Sequence, residues 1–293
     1  MNDNQLTQML TATVDKLSDP QSFKGLFHPY RDGNPLPSGK VLEEIVALSR
    51  AILFPGYYGN SSVNTNTLHY HIGVDVERLF HLLREQIQAG LCFIDCCDVD
   101  GVKCDIKSIA KRLAIQLIER YPVIRESLST DVIAAYNGDP AAESVGEVIS
   151  CYPIIKTLVN YRIAHELAIL GVPLIPRMLT ELAHSETGID IHPRATIGRY
   201  FTIDHGTGVV IGATCVIGDN VKIYQGVTLG AKSFPLDAEG NPIKGIPRHP
   251  IIGNNVIIYA NATVLGRVRI GDGCVIGANM WVTEDMDAET VKK

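Results

Sequence analysis

Hydrophobic side chains in the last third of the chain keep a six-residue beat. Ile191, Ile197, Ile203 and Val209 fall six apart; after a two-residue slip the beat resumes at Ile211, Ile217, Ile223 and Leu229. A longer interruption follows, and then come Ile252, Ile258, Val264, Ile270, Ile276 and Val282. Seven beats are followed directly by glycine, at 198, 212, 218, 230, 253, 271 and 277. Four residues after a beat the side chain is usually small, as at Ala195, Thr207, Cys215, Ser233, Ala262 and Cys274. Strands alternate every two residues and helices turn every 3.6, so a period of six fits neither alone. It predicts a left-handed parallel β-helix of hexapeptide repeats, with three short strands to each triangular coil. On this reading the beat points inward, the small residue fits the corner, and glycine relieves the bend.

The chain before the beat has a helical rhythm. Val41–Leu53, Val76–Ile87, Ile106–Arg120 and Glu143–Leu170 carry apolar residues at helical spacing. Pro55-Gly56, Asn137-Gly138-Asp139-Pro140 and Gly171-Val172-Pro173 punctuate them. Asp139 before Pro140 reads as an N-cap with proline at the first helical position. Residues to about 37 read as a loosely packed lead-in. The predicted class is α+β, with a helical domain over 1–187 and a β-helix over 188–293. A loop excursion at 230–251, rich in Pro and Gly, leaves the β-helix because it is too long for one hexad.

Composition narrows the function. With 32 acidic against 26 basic residues and a net charge of −6, the chain lacks the basic excess of a nucleic-acid-binding surface. No charged segment followed by an apolar stretch opens the chain, and no apolar run reaches membrane-spanning length. The expectation is a cytoplasmic protein with neither nucleic acid nor membrane as partner. Seven cysteines suit reduced thiols better than a disulfide framework. Cys92, Cys96, Cys97 and Cys104 cluster, but their spacing is not a standard zinc pattern. Cys215 and Cys274 fall at corner positions and read as small buried hydrophobes.

Function in a regular scaffold tends to sit where the repeat breaks. His205, beside Asp204, lies at the first break, the two-residue slip within Ile203-Asp204-His205-Gly206-Thr207-Gly208, and Asp190 stands fifteen residues earlier. A coil takes about eighteen residues and coils stack about 4.8 Å apart, so Asp190 and His205 are expected on adjacent rungs. A carboxylate beside a histidine fixes its tautomer and stabilises the imidazolium, which suits a general base. The bland reading is a surface histidine in a bent corner. Arg248-His249-Pro250 ends the excursion; arginine there can hold a carboxylate in a fork, or be a solvated loop charge. His192-Pro193 is expected to shape the first coil. His69-x-His71 lacks further ligands, so no metal is assigned.

At Asp190-Ile-His-Pro, Ile203-Asp204-His205-Gly-Thr-Gly and Arg248-His249-Pro250 the chain resembles serine acetyltransferase. Gly138-Asp139-Pro140-Ala141 and Tyr161-Arg162-Ile163-Ala164-His165 are similar to further motifs of that family. The resemblance covers about 135–285. It implies acetyl transfer from acetyl-CoA to the hydroxyl of L-serine in cysteine biosynthesis, directly and without an acyl-enzyme. It implies His205 as base, Asp190 as its orienting carboxylate, and Asp139, Asp204, Arg248 and His249 around the amino acid. Ala231, Ala260 and Ala278 would line the acetyl-CoA arm in a groove between neighbouring β-helices. A homotrimer pairing into a homohexamer is implied as well. The excursion around Phe234–Lys244 replaces the family's usual glycine-rich loop. Members that bind O-acetylserine sulfhydrylase do so through a tail ending in isoleucine; this chain ends at Lys293, so that partner is not assigned. The competing readings are another hydroxylated amino acid or acyl donor, a metal-dependent β-helix enzyme, and a non-catalytic β-helix.

Overall fold

The computed structural model describes residues 2–28, 36–60, 62–93 and 105–293, with the backbone of 98–99 and 102–103. Cys96, Cys97 and Cys104 of the cysteine cluster lie outside the described residues. Two compact units are present, divided after Pro35. The first holds α1 (Asp3–Ser18), opened by a reciprocal Asn2/Gln5 capping box, and a short 3-10 turn at Pro20–Ser22. The expected loose lead-in is thus partly helical. Leu6, Met9, Leu10, Val14 and Leu17 on α1 are exposed.

In the second unit the helices are α2 (Gly39–Leu53), α3 (Leu68–Phe93), α4 (Ile106–Gly138), α5 (Val145–Cys151), α6 (Pro153–Ile169) and α7 (Ile175–Thr187). A short antiparallel pair, Asp98–Val99 with Val102–Lys103, separates α3 from α4. Two local expectations fail. Asp139 is not an N-cap: it ends α4, and α5 starts later, with Ser144 accepting from Glu147 N–H. The predicted helix over 143–170 is broken in two at Tyr152-Pro153, because proline has no N–H to continue α5 and its fixed φ starts α6 instead.

From Asp190 the chain winds into a triangular prism of about five coils, a left-handed parallel β-helix. The first face stacks Asp190–Ile191, Val210–Ile211, Thr228–Gly230, Thr263–Leu265 and Trp281–Val282. The second stacks Thr196–Ile197, Val216–Ile217, Ile251–Ile252 and Arg269–Ile270. The third stacks Thr202–Asp204, Lys222–Tyr224, Ile257–Ile258, Val275–Ile276 and Val291–Lys292. Every residue of the beat is buried, none more than 7% exposed.

The slip falls within residues 203–208, as expected, but it shifts the repeat on either side. Val209 is not a strand beat; it takes the buried corner place assigned to Thr207, which is exposed. Two extra residues have been inserted ahead of it, so the first coil measures twenty residues, Asp190 pairing with Val210, where the next takes eighteen, Val210 to Thr228. Ser233, also expected in a corner, is exposed on the excursion. The glycines after the beats differ from expectation in their reason. A Cβ on Gly198 would lie 2.7 Å from Gly218 O, and one on Gly218 would lie 2.9 Å from Gly253. Coils approach too closely for a side chain there, whereas the left-handed turn falls two residues on, at Tyr200, Asn220 and Asn255.

The lowest coil rests on α4 and α6. Its downward carbonyls have no coil beneath, and buried carbonyls need partners. Tyr161 Oη–H donates to Ala195 O at 2.7 Å, Arg162 to Gly198 O at 3.0 Å, and His165 Nδ1–H to Pro193 O at 2.8 Å. Asp131, fully buried, forks with Arg162 and accepts from Phe201 N–H. Burial lifts its carboxyl to about 6 despite Arg162. Removing Arg162 would leave that carboxylate uncompensated, which costs about 3–5 kcal/mol.

Candidate functional site

The inserted corner between the third and first faces presents His205. The equivalent corners of later coils turn through one left-handed residue, at Gly226, Asn261 and Asn279, whereas here His205 (φ +58°), Gly206 (+91°) and Gly208 (+80°) all have positive φ. Positive φ on a non-glycine residue is uncommon and concentrates at functional positions. The turn comes one residue early and leaves the imidazole 76% exposed. Gly206 permits this because a Cβ would sit 2.4 Å from Ile189 Cδ1.

Asp204 and Asp139 meet on the same edge. Asp204 Oδ1 lies 3.9 Å from His205 Nε2, and its Oδ2 lies 3.6 Å from Lys222 Nζ. Lys222 donates to Gly138 O at 2.5 Å and sits over the Tyr224 ring, so it ties the α4–α5 joint to the prism. Asp139 accepts from Tyr152 Oη–H at 2.5 Å and from Ala141 N–H at 2.8 Å. Tyr152 first, then the Ala141 N–H, with Lys222 and His205 adding to them, hold its carboxyl below the usual aspartate value. The same bond pushes the Tyr152 hydroxyl up to about 12.

Asp190 is placed differently from the spacing argument. Its Oδ1 accepts from Arg177 Nη1 at 3.2 Å, and Arg177 also pairs with Glu181. Within one chain the structure does not join it to His205; the carboxylate beside that ring belongs to Asp204. The twenty-residue coil explains part of this, since Asp190 stacks under Val210, five residues beyond His205. Glu181, His184 and Asp190 bring ligand atoms within 4.8 Å of one another, but Arg177 already supplies a cation to two of them.

Arg248 and His249 stand at the other end of the first face, on the edge between first and second faces. The excursion leaves after Gly230 and returns at Ile251. It closes over a cavity of about 710 Å³ lined by His192, Thr214, Phe234, Lys244, Arg248 and Arg267 among others. Arg248 packs its guanidinium over the Phe234 ring, 5.4 Å from the centroid, and its Nε is buried with no hydrogen-bond partner among the described residues. His249 is 7% exposed, with Nδ1 against Thr214. Burial, reinforced by Arg248 and Arg267, keeps its pKa below the ordinary value. His192, in the corner below, is pushed down to about 4 by burial and then by Arg177 and Arg194. Ala260 and Ala278 lie on the edge of His205, two and three coils up, while Ala231 begins the excursion on the other edge.

One edge therefore pairs two carboxylates with an exposed imidazole, and suits an ammonium and a proton to be removed. The other gathers arginines and neutral histidines, and suits a carboxylate. A six-residue side of the prism spans on the order of 20 Å, too far for one amino acid. Sequence reasoning missed Tyr152, Lys222, Thr214 and Arg267. All four act through contacts whose partners no repeat specifies, such as Lys222 with Gly138, 84 residues away.

Residues 208–234 match the hexapeptide repeat of succinyl-transferase, and residues 249–279 match the bacterial transferase hexapeptide family (six repeats). The chain is 48% identical over 256 residues to "Serine acetyltransferase, plasmid" of Synechococcus elongatus, covering 87% of this chain and 80% of that one. It is similar to the solved structure of Entamoeba histolytica serine acetyltransferase 1 in complex with L-cysteine. The identity there is 34%, over 96% of this chain and 94% of that one, with a TM-score of 0.74. The Neisseria gonorrhoeae serine acetyltransferase in complex with serine is 25% identical over 86% of this chain and 92% of its own, with a TM-score of 0.55.

Proposed function

The chain belongs to the serine acetyltransferase family, and from that premise we propose that acetyl passes from acetyl-CoA to L-serine in a site shared between two protomers. One protomer contributes Asp139, Asp204 and His205; its neighbour contributes Arg248 and His249. The observation that carries this reading is the division of ammonium-binding and carboxylate-binding chemistry between two edges of one prism. A homotrimer closes such a heterologous contact, and two trimers paired through their helices give the homohexamer.

In this site Asp139 and Asp204 hold the serine ammonium, and Arg248 with His249 holds its carboxylate. His205 takes the hydroxyl proton as the oxygen attacks the thioester carbonyl. The tetrahedral oxyanion collapses, the carbon–sulfur bond breaks, and the imidazolium returns its proton to the departing thiolate. The products are O-acetyl-L-serine and CoA. Asp190 is the proposed orienting carboxylate of His205. Cys215 is no candidate for an acyl carrier, being buried with its thiol pushed up to about 12. Ala260 and Ala278 flank the acetyl-CoA arm, with Ala231 across the groove. Among the described residues no helix is long and apolar enough to cross a membrane; the cytoplasm is the proposed location.

Thiol release from acetyl-CoA, measured with L-serine, L-threonine and L-homoserine, tests the assignment. Fastest release with serine is expected. A preference for either other acceptor would overturn it.

A further inference from the structure

His249 is held by a set of hydrogen bonds whose directions can be worked out atom by atom. Thr214 Oγ1 accepts from the backbone N–H of Arg248 at 2.9 Å and of His249 at 3.2 Å. A hydroxyl offers two acceptor sites and one hydrogen, so both acceptor sites are filled and the hydrogen is left to donate. Thr214 Oγ1 lies 2.8 Å from His249 Nδ1, so that hydrogen goes to the ring nitrogen. The Thr214 backbone N–H reaches the same nitrogen at 3.1 Å. A backbone N–H can only donate, so Nδ1 receives two donors and carries no hydrogen of its own.

Arg267 locks this arrangement from the following coil. Its Nη1 donates to Thr214 O at 2.7 Å and to His249 O at 2.9 Å, fastening the two segments together. Gly212 sets the depth of the ring: a Cβ there would fall 2.1 Å from His249 Cδ2 and 2.3 Å from Nε2. Resting on the proposed shared site, we infer that Thr214 is a positioning residue, buckled by Arg267, that fixes His249 as the neutral Nε2–H tautomer. The ring then has one polar hydrogen to offer, and it donates to the substrate carboxylate beside the Arg248 fork.

The surroundings act in the same direction. Protonation would add a hydrogen at Nδ1 aimed at the Thr214 N–H. The charged groups facing the ring are Arg248 on its own segment, Arg267 from the coil above and His192 from the corner below. None of these favours an imidazolium. His249 is thereby kept from competing with His205 as a proton acceptor, and its donor stays available as pH changes.

The test combines ¹⁵N imidazole spectra with kinetics on the whole enzyme. The His249 signals, assigned by their loss in His249→Asn, should report the Nε2–H tautomer unchanged between pH 5 and 8. Thr214→Val should raise the serine KM about tenfold, the effect of one lost neutral hydrogen bond, and leave the acetyl-CoA KM in place. Thr214→Ser, which keeps the hydroxyl, should restore the serine KM. An Nδ1–H tautomer or a titrating His249 in the wild type would overturn the inference. So would an unchanged serine KM in Thr214→Val, a Thr214→Ser variant that fails to restore it, or equal losses in both KM values and kcat. The spectra do not depend on turnover, so failure of the acetyltransferase reading would appear separately, as absent serine-dependent thiol release.

Discussion

The two edges that bound the first face hold histidines of opposite character. His205 is exposed, sits on a left-handed turn and has carboxylates for neighbours; His249 is buried, clamped at one nitrogen and ringed by cations. An imidazole must be free to gain a proton if it is to act as a base. One locked as a neutral donor serves recognition instead. The difference also lies in what supports each edge. The His205 edge is braced by the helices through Lys222, which donates to Gly138 O, whereas the His249 edge is braced by the coil above through Arg267.

The division is most sharply broken at His205. Replacing it with asparagine should lower kcat by about 10²–10⁴ while the serine KM moves little; turnover at the wild-type rate would remove it from the base role. Mixing comes next. His205→Asn and Arg248→Gln each damage one edge, so co-refolded mixtures should regain on the order of a quarter of wild-type activity if sites are shared between protomers. Mixtures that stay as inactive as their components would place both edges of a site in one chain.

Gly212→Ala sharpens the comparison on one side only. Its Cβ displaces the His249 ring, so the serine KM should rise about tenfold with kcat little changed. A fall in kcat alone would mean that His249 acts in the chemical step. The smallest effect belongs to Tyr152→Phe. Because Tyr152 and then Ala141 N–H hold the Asp139 carboxyl below its ordinary value, that contribution to stability is present above about pH 4 and lost as pH falls through the folded value. The variant should melt below the wild type at neutral pH, and the two Tm values should converge in strong acid. A gap independent of pH would argue against this linkage.

The prism was legible because its signal is local: each inward position is announced by Ile, Leu or Val at a fixed interval, and burial of all of them follows. The corners were less so. A glycine at 198 looks the same whether it serves a turn or a close approach, and only stacking against Gly218 distinguishes them. Asp139 carried both halves of a helix-start signal, yet Ser144 starts the helix and Asp139 is left to accept from Tyr152. The break at 203–208 pointed to His205, and Arg248-His249 stood out at the end of the excursion. That these fall on separate edges follows from counting faces. Which side chains hold them does not, since outward positions carry no periodicity and their partners lie tens of residues away.

The helices beneath the prism have a consequence for assembly. Parallel coils present an open row of backbone acceptors at their lower end, a template on which another copy could extend indefinitely. Tyr161, Arg162 and His165 occupy that row. The residues that join helices to coils therefore also act as a stopper, filling with side chains the acceptors that a further coil would use.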